Sequence, residues 1–308
     1  MEKEEYVYHY TSIQSLLGMF SSDSHSNKCI TFWASNILTM NDPDEFRFGY
    51  KSICNAFKQI EDNMSCCDKP EDKYLLRNST FFRRKESDNK EIDKFIEDCI
   101  RSKSILPYVI SCTSKADDLD FWRNYAKDGN GICIAFDKDI LTKHFDENIK
   151  NSVYGDVVYG NIDMHTLEES NPKLYDILCD VYNEYFDEID GCEPECKDNI
   201  SKIQQKYIEQ SALFLSALFK RKGYSNEQEY RFAVLKKDDG TNIGFRTTTK
   251  GNIIPYTCIS LPMNAIKEIM IGPCVDFKST SRVLKQFLMN KRFSDVNILK
   301  SEHKYRPY

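Results

Sequence analysis

The chain has 308 residues, of which 41% are hydrophobic and 13% aromatic. That is enough apolar material for a full core and too much for a disordered chain. Its formal net charge of −6 argues against a surface that coats nucleic acid through general basicity. The charged start, Met1 to Glu5, runs straight into a strand pattern with no apolar leader. No run reaches the length of a membrane span. The expectation is a cytoplasmic protein without a membrane partner. Twelve cysteines are present, but only Cys66-Cys67 and Cys192-x-x-x-Cys196 lie close together. Neither has a second pair or a His at zinc spacing, so free thiols are expected.

In chain order, Tyr6–Thr11 reads as an aromatic, β-branched strand, and Ser12 opens a short helix with Ile13, Leu16, Leu17 and Phe20 at helical spacing. A polar loop over 21–27 leads to a strand at 29–34. Asn41-Asp42-Pro43 is a turn, because proline restricts both its own backbone and that of the residue before it. Residues 50–104 read as a polar helical insertion, with the charged run 83–94 as a solvated face. Residues 107–114 form a strand, followed by a helix that places Leu119, Phe121, Trp122, Tyr125 and Ala126 on one side. It ends at Gly129-Asn130-Gly131. Buried-type strands follow at 132–137 and about 157–160. A second helical insertion spans 165–222 and has an acidic middle at 187–195. Its last helix is expected to end in Lys220-Arg221-Lys222-Gly223, cations and glycine being favoured at a helix C-terminus. Strands at 226–235, 253–256 and 266–272, a helix over about 279–291 and a short tail at 301–308 complete the chain. With no repeat and no low-complexity linker, residues 1–308 read as one α+β domain with two helical insertions.

Four clusters can carry chemistry. His9-Tyr10-Thr11 ends the first strand, where a following helix offers free N–H groups. Asn41-Asp42-Pro43-x-Glu45 gathers carboxylates at a turn. Ser111-x-Thr113 is backed by Trp122 and Tyr125. Glu227-x-Glu229-x-Arg231 places two carboxylates and a guanidinium at alternate positions of a strand, hence on one face, with Gln228, Tyr230, Phe232 and Val234 on the other as core. The plain reading of that strand is a Glu229–Arg231 ion pair at a solvated strand end, which contributes little. No phosphate loop, nucleophile elbow or His-Glu-x-x-His helix is present.

The order Tyr8-His9-Tyr10-Thr11, Asn41-Asp42-Pro43-x-Glu45, Ser111-x-Thr113, Phe121-Trp122-x-x-Tyr125-Ala126, Gly129-x-Gly131-Ile132-x-Ile134-x-Phe136, Glu227-x-Glu229-x-Arg231, Ile271-Gly272-Pro273 and Tyr305-Arg306-Pro307 resembles a large bacterial family of unknown function. More loosely, His9, Ser111-x-Thr113 and Glu227-x-Glu229 are similar to the three spaced elements of ADP-ribosyltransferases. That resemblance implies a central, mainly antiparallel sheet and NAD as substrate, with a role as toxin or phage-defence effector. It implies Glu229 as the residue that stabilises the ribose cation, Glu227 as orienting the acceptor, and His9 as holding a ribose hydroxyl. Tyr10, Thr11, Ser111 and Thr113 line the nucleotide, Trp122 or Tyr125 stacks on it, and Arg231 or Lys222 meets the pyrophosphate. The acceptor, protein or nucleic acid, stays open. Two alternatives stand beside it. One is a metal-dependent nuclease or other phosphate-processing enzyme using Asp42, Glu45, Glu227 and Glu229. The other is a non-catalytic protein-binding module in which the Glu/Arg strand is a structural ion pair.

Overall fold

The computed structural model describes residues 5–20, 28–64, 89–102, 105–190, 197–237, 242–248 and 251–305. The cysteine pairs 66–67 and 192/196, the loop at 21–27, most of the acidic stretch beyond Asp190 and the tail residues 306–308 lie outside them, as do 83–88 of the charged run. No disulfide joins the eight cysteines within them.

The fold is α+β, built on a large, mainly antiparallel sheet, as the strand patterns suggest. Its strands are β1 (Tyr6–Thr11), β2 (Cys29–Asn36), β3 (Ile105–Thr113), β4 (Ile132–Asp137), β5 (Ser152–Asp156), β8 (Glu229–Lys237), β9 (Ile243–Thr247), β10 (Ile253–Pro262), β11 (Ile266–Ile271) and β12 (Asn297–Lys300). Two short strands, β6 (Val158–Tyr159) and β7 (Phe219–Lys220), pair with each other separately. The helices are α1 (Ile13–Met19), α2 (Glu45–Met64), α3 (Asn89–Arg101), α4 (Leu119–Tyr125), α5 (Lys138–Asn148), α6 (Met164–Ser170), α7 (Pro172–Asp190), α8 (Lys197–Leu215) and α9 (Phe277–Asn290).

β3 is the organising strand. Along one edge it pairs with β8 over its whole length, Ile105 opposite Lys237 through Thr113 opposite Glu229. Along the other edge it changes partner. Tyr108 and Val109 pair with β2, whereas Thr113 pairs with Tyr8 of β1. The sheet therefore forks into one wing of β1, β4, β11 and β12 and another of β2, β10 and β9. At the fork the backbone carbonyl of Ser111 bonds to the ring of His9 (Nδ1 to O, 2.9 Å). A buried carbonyl without such a partner would cost free energy.

Alternation along the strands sends side chains into two cores. Tyr108, Ile110, Cys112, Tyr230, Phe232 and Val234 join Leu16, Met19, Leu141, Phe145, Leu284 and Leu288, from α1, α5 and α9, on one face. Val109, Val153 and Ala233 join α2, α7 and α8 on the other. Both faces are covered by helices, which explains why β3 and β4 read as continuous apolar runs rather than alternating ones.

Several local expectations change. The helix before the Glu/Arg strand stops at Leu215, and Ser216–Leu218 form a 3-10 turn, so Lys220 lies in β7 and not in a helical last turn. Residues 222–227 form a second 3-10 turn, and Gln228 adopts a left-handed backbone (φ 43°) before β8 begins at Glu229. Glu227 is thus off the strand and does not share its pleat. The residue pattern alone does not mark helix α5 or strands β5, β9 and β12. Among the described residues no helix is long and apolar enough to cross a membrane.

Candidate functional site

The site lies where β8 starts. Arg231 is fully enclosed, yet each of its three nitrogens has an acceptor. Its Nε and Nη2 donate to the two carboxylate oxygens of Glu229 at 2.6 and 3.0 Å. Its Nη1 donates to Glu45 Oε1 at 2.7 Å and to the Ala217 carbonyl at 2.8 Å. Such forked, charge-assisted bonds are the strong kind. Three elements are joined this way: β8, the first turn of α2 and the 3-10 turn after α8.

Close approach of α2 to that turn depends on Gly49. A Cβ there would lie 2.6 Å from the Ser216 backbone. Only glycine leaves room for the contact that places Ala217 over Arg231.

Lys220 completes the cluster. Its Nζ is 2.6 Å from Glu229 Oε1, 2.5 Å from Glu227 Oε2 and 3.7 Å from Glu45 Oε2. It also stands over the ring of Tyr224, 4.6 Å from the centroid. Three carboxylates, Glu45, Glu227 and Glu229, thus surround two cations, Lys220 and Arg231. One negative charge has no counter-charge inside the cluster, so the group as a whole favours holding a proton.

The proton affinities separate accordingly. Burial works to raise Glu229, but Arg231 and Lys220 outweigh it and hold its carboxyl well below the usual carboxylate range. Glu227 moves the other way, raised by burial and by its neighbour Glu229 against the pull of Lys220 and Tyr125. Burial works to lower Lys220, but Glu229 and Glu45 hold it above its ordinary value. Two carboxylates two residues apart therefore differ in kind: one is a locked anion and the other a proton-accepting group.

Glu227 is also the accessible member, with 19% of its side chain exposed against 6% for Glu229. Tyr125 at the end of α4 donates its hydroxyl to Glu227 Oε1 at 2.7 Å, and Asn41 Nδ2 donates to that hydroxyl at 3.2 Å. Burial and the adjacent Glu227 raise the Tyr125 phenol, so it stays protonated as a donor. The loop is fixed from below, where Thr113 Oγ1 donates to the Glu227 carbonyl at 2.7 Å and Ser114 Oγ meets Gln228 Oε1 at 3.0 Å. Tyr159 of β6 accepts from the Glu229 backbone N–H at 2.8 Å. Beside this rim Arg221 grips the buried Asp42 with Nε (2.8 Å) and Nη2, and Asp42 Oδ1 also accepts from the Asp44 N–H at 3.0 Å.

Three of the four sequence clusters meet here: Asn41, Asp42 and Glu45; Thr113 and Tyr125; and Glu227, Glu229 and Arg231. The fourth divides. Register puts Tyr8, Thr113 and Glu229 on one sheet face, so His9, one residue on from Tyr8, belongs to the other. Its ring sits edge-on to Phe32 at 4.7 Å. Burial lowers its proton affinity, partly offset by the Ser111 carbonyl, and Arg246 lowers it further. His9 is thus a neutral brace at the fork, on the opposite face from Glu229.

Other assignments need the same correction. Trp122 is completely buried and donates to Asp117 Oδ1 at 2.5 Å, so it presents no ring face to a nucleotide. Tyr10 packs edge-on against it at 5.0 Å and accepts from the Asp118 N–H at 3.0 Å, which makes it a clamp on the 115–118 loop. Thr11 closes β1, its carbonyl packed against Gly131. Ser111 Oγ is buried without a partner among the described residues. Lys222 is exposed at the start of its 3-10 turn. The Glu229–Arg231 pair is not at a solvated strand end. Asp42 and Glu45 point to different cations, Arg221 and Arg231. Among the described residues no three His, Cys, Asp or Glu side chains are grouped to hold a metal ion. Lys220, Arg221 and Tyr159 join the site beyond the four sequence clusters. The basic triplet 220–222 is the sequence signal for Lys220 and Arg221, but it reads equally well as a helix end, and nothing in the sequence marks Tyr159.

Helix α4 and the start of β8 also bound the part of the chain that is similar to a protein family. Residues 121–232 match the model of a protein family of unknown function, DUF2971. The matched segment holds Trp122, Tyr125, Lys220, Glu227, Glu229 and Arg231. Asn41, Asp42, Glu45, His9 and Ser111-x-Thr113 fall outside it. No curated protein and no solved structure matches the chain.

Proposed function

We propose that the chain is an NAD-dependent ADP-ribosyltransferase-like enzyme in which Glu227, and not Glu229, is the carboxylate that meets the substrate. The observation that carries this reading is the adjacency of three strands. β1, β3 and β8 are neighbours, and Tyr8, Thr113 and Glu229 stand at one register level. The three motifs, far apart in sequence, thus lie side by side at the end of one strand triplet, with His9 facing away from the other two. Glu227 supplies a raised proton affinity and a partly exposed side chain at that end. Asn41, exposed beside Tyr125, adds an amide donor suited to a sugar hydroxyl.

In this reaction the bond between nicotinamide nitrogen and ribose C1′ breaks. Nicotinamide leaves with the electron pair, and the acceptor's nucleophile bonds to C1′. Glu227 takes the acceptor's proton, a role suited to a carboxylate whose pKa is raised. Glu229 and Arg231 hold the strand end rigid beneath it. His9 acts as a positioning residue through the Ser111 carbonyl and touches no reacting atom.

The test is nicotinamide release from NAD by wild type, Glu227→Gln and Tyr125→Phe. Glu227→Gln is expected to lose about 10²-fold or more in rate with a melting temperature near wild type. Absence of both NAD binding and turnover in the wild type would sink the reading.

A second reading, the protein-binding module, draws on one observation: Lys220 and Arg231 spend their directed contacts on partners within the chain. A stable, folded Glu227→Gln protein from an inactive parent would favour it.

A further inference from the structure

The wing of β2, β10 and β9 carries a second constellation, away from Glu227 and independent of its proposed role. Strand alternation and register put Trp33, Ser35, Tyr256, Gly244 and Arg246 on one face. Tyr256 stacks on Trp33 with ring centroids 4.4 Å apart and planes inclined by 25°. Gly244 makes that possible, since a Cβ there would lie 2.5 Å from the Tyr256 ring. Trp33 remains 46% exposed. The result is a flat aromatic step open to solvent on a folded sheet.

Arg246 stands at its edge. Its Nη2 donates to Ser35 Oγ at 3.0 Å. Its Nε is buried and has no acceptor, and it is the only nitrogen among the buried, unpartnered side-chain atoms of the described residues. Arg47, Arg221 and Arg231 each hold a carboxylate, whereas Arg246 has no carboxylate within ion-pair distance among the described residues. Burial lowers its proton affinity, with Tyr256 opposing. A guanidinium N–H withdrawn from water without an acceptor is costly, and an anion is the group that relieves it. Ser35 and Trp33 are two residues apart on one strand face, about 7 Å. That is the separation a single ribose bridges between its base and its phosphate.

We infer that this face binds a nucleoside monophosphate, with the phosphate on Arg246 and Ser35 and the base stacked on Trp33. Arginine favours phosphate through its planar fork, and aromatic stacking accepts any base.

The chain has two tryptophans, Trp33 and the buried Trp122, so intrinsic fluorescence reports on the step directly. The probe is AMP, with adenosine and inorganic phosphate as half-ligands. AMP is expected to give saturable quenching with half-saturation below about 1 mM, and each half-ligand is expected to bind at least tenfold more weakly. Arg246→Gln is expected to weaken AMP at least tenfold while leaving adenosine unchanged. Trp33→Leu, an exposed position with little bearing on folding, is expected to weaken AMP and adenosine by calorimetry while leaving phosphate unchanged. Glu227→Gln is expected to bind AMP as wild type does, which separates this site from the catalytic proposal. Absence of saturable AMP binding, or wild-type affinity in Arg246→Gln, overturns the inference. Loss of AMP binding in Glu227→Gln overturns the independence of the two sites.

Discussion

Arg231→Met is the sharpest probe of the buried cluster. Methionine keeps much of the side-chain length and removes the charge together with four directed contacts: two to Glu229, one to Glu45 and one to the Ala217 carbonyl. Lys220 is then left alone among three carboxylates. Removing one partner of a buried ion pair costs about 3–5 kcal/mol, because the other partner stays buried and uncompensated. An exposed pair costs at most about 1 kcal/mol. Urea unfolding followed by circular dichroism distinguishes the two. The expected loss is about 3–5 kcal/mol, seen as a lower midpoint at an unchanged slope. The double variant Arg231→Met/Glu229→Gln is expected to lose less than the sum of the single losses, by about 1–3 kcal/mol, since it leaves one fewer unpaired carboxylate. A loss below about 1 kcal/mol for Arg231→Met would mean that solvent already screens the cluster, and the reasoning would fail.

Four further expectations follow from the same geometry. Glu229 has its proton affinity depressed in the folded chain, so its stabilising contribution is complete above an unfolded value of about 4.3. It is lost as pH falls through the lower folded value, and acid titration of Glu229→Gln should lack that component. His9 is also depressed, so the unfolded chain binds its proton more readily. Stability should rise with pH up to about 6.5–7, and His9→Asn should flatten that slope; an unchanged slope would refute the assignment. Thr113→Val removes the bond to the Glu227 carbonyl and is expected to cost about 1–2 kcal/mol while lowering any turnover that depends on Glu227. Gly131→Ala places a Cβ 2.3 Å from the Thr11 carbonyl oxygen and 2.8 Å from that of Ala126. A loss of about 3 kcal/mol in chemical unfolding is expected, whereas near-neutrality would mean that the turn before β4 gives way at the end of β1.

Much of this was legible in the residues. The alternation Tyr230, Phe232, Val234 identified the core side of β8, and the turn at Asn41-Asp42-Pro43 was readable from proline's restriction. The meeting of Asn41, Tyr125 and Glu227 was foreshadowed only as separate clusters. What could not be read is burial supplied from a distance. Glu229 and Arg231 look like a solvated pair because the groups that enclose them, Glu45 and Ala217, come from α2 and the turn after α8. The pleat shows that His9 and Tyr8 face opposite ways, but only the register with β3 shows which of them shares a face with Glu229. Lys220 was misplaced because three cations before a glycine suit a helix end as well as a strand. Gln228 hid the largest change, since one left-handed residue takes Glu227 off the strand and makes two similar glutamates unlike.

The fork at β3 also bears on how the chain folds. Its neighbours come from residues 6–11, 29–36 and 229–237, so the central strand pairs with segments more than a hundred residues away on the C-terminal side. Contacts of such long sequence separation close slowly. During synthesis β3 therefore spends the time taken to make over a hundred residues with its longer edge bare. An apolar strand with a bare edge is a template for association between chains. Chains truncated before residue 229 are therefore expected to aggregate rather than to accumulate as soluble, half-folded forms.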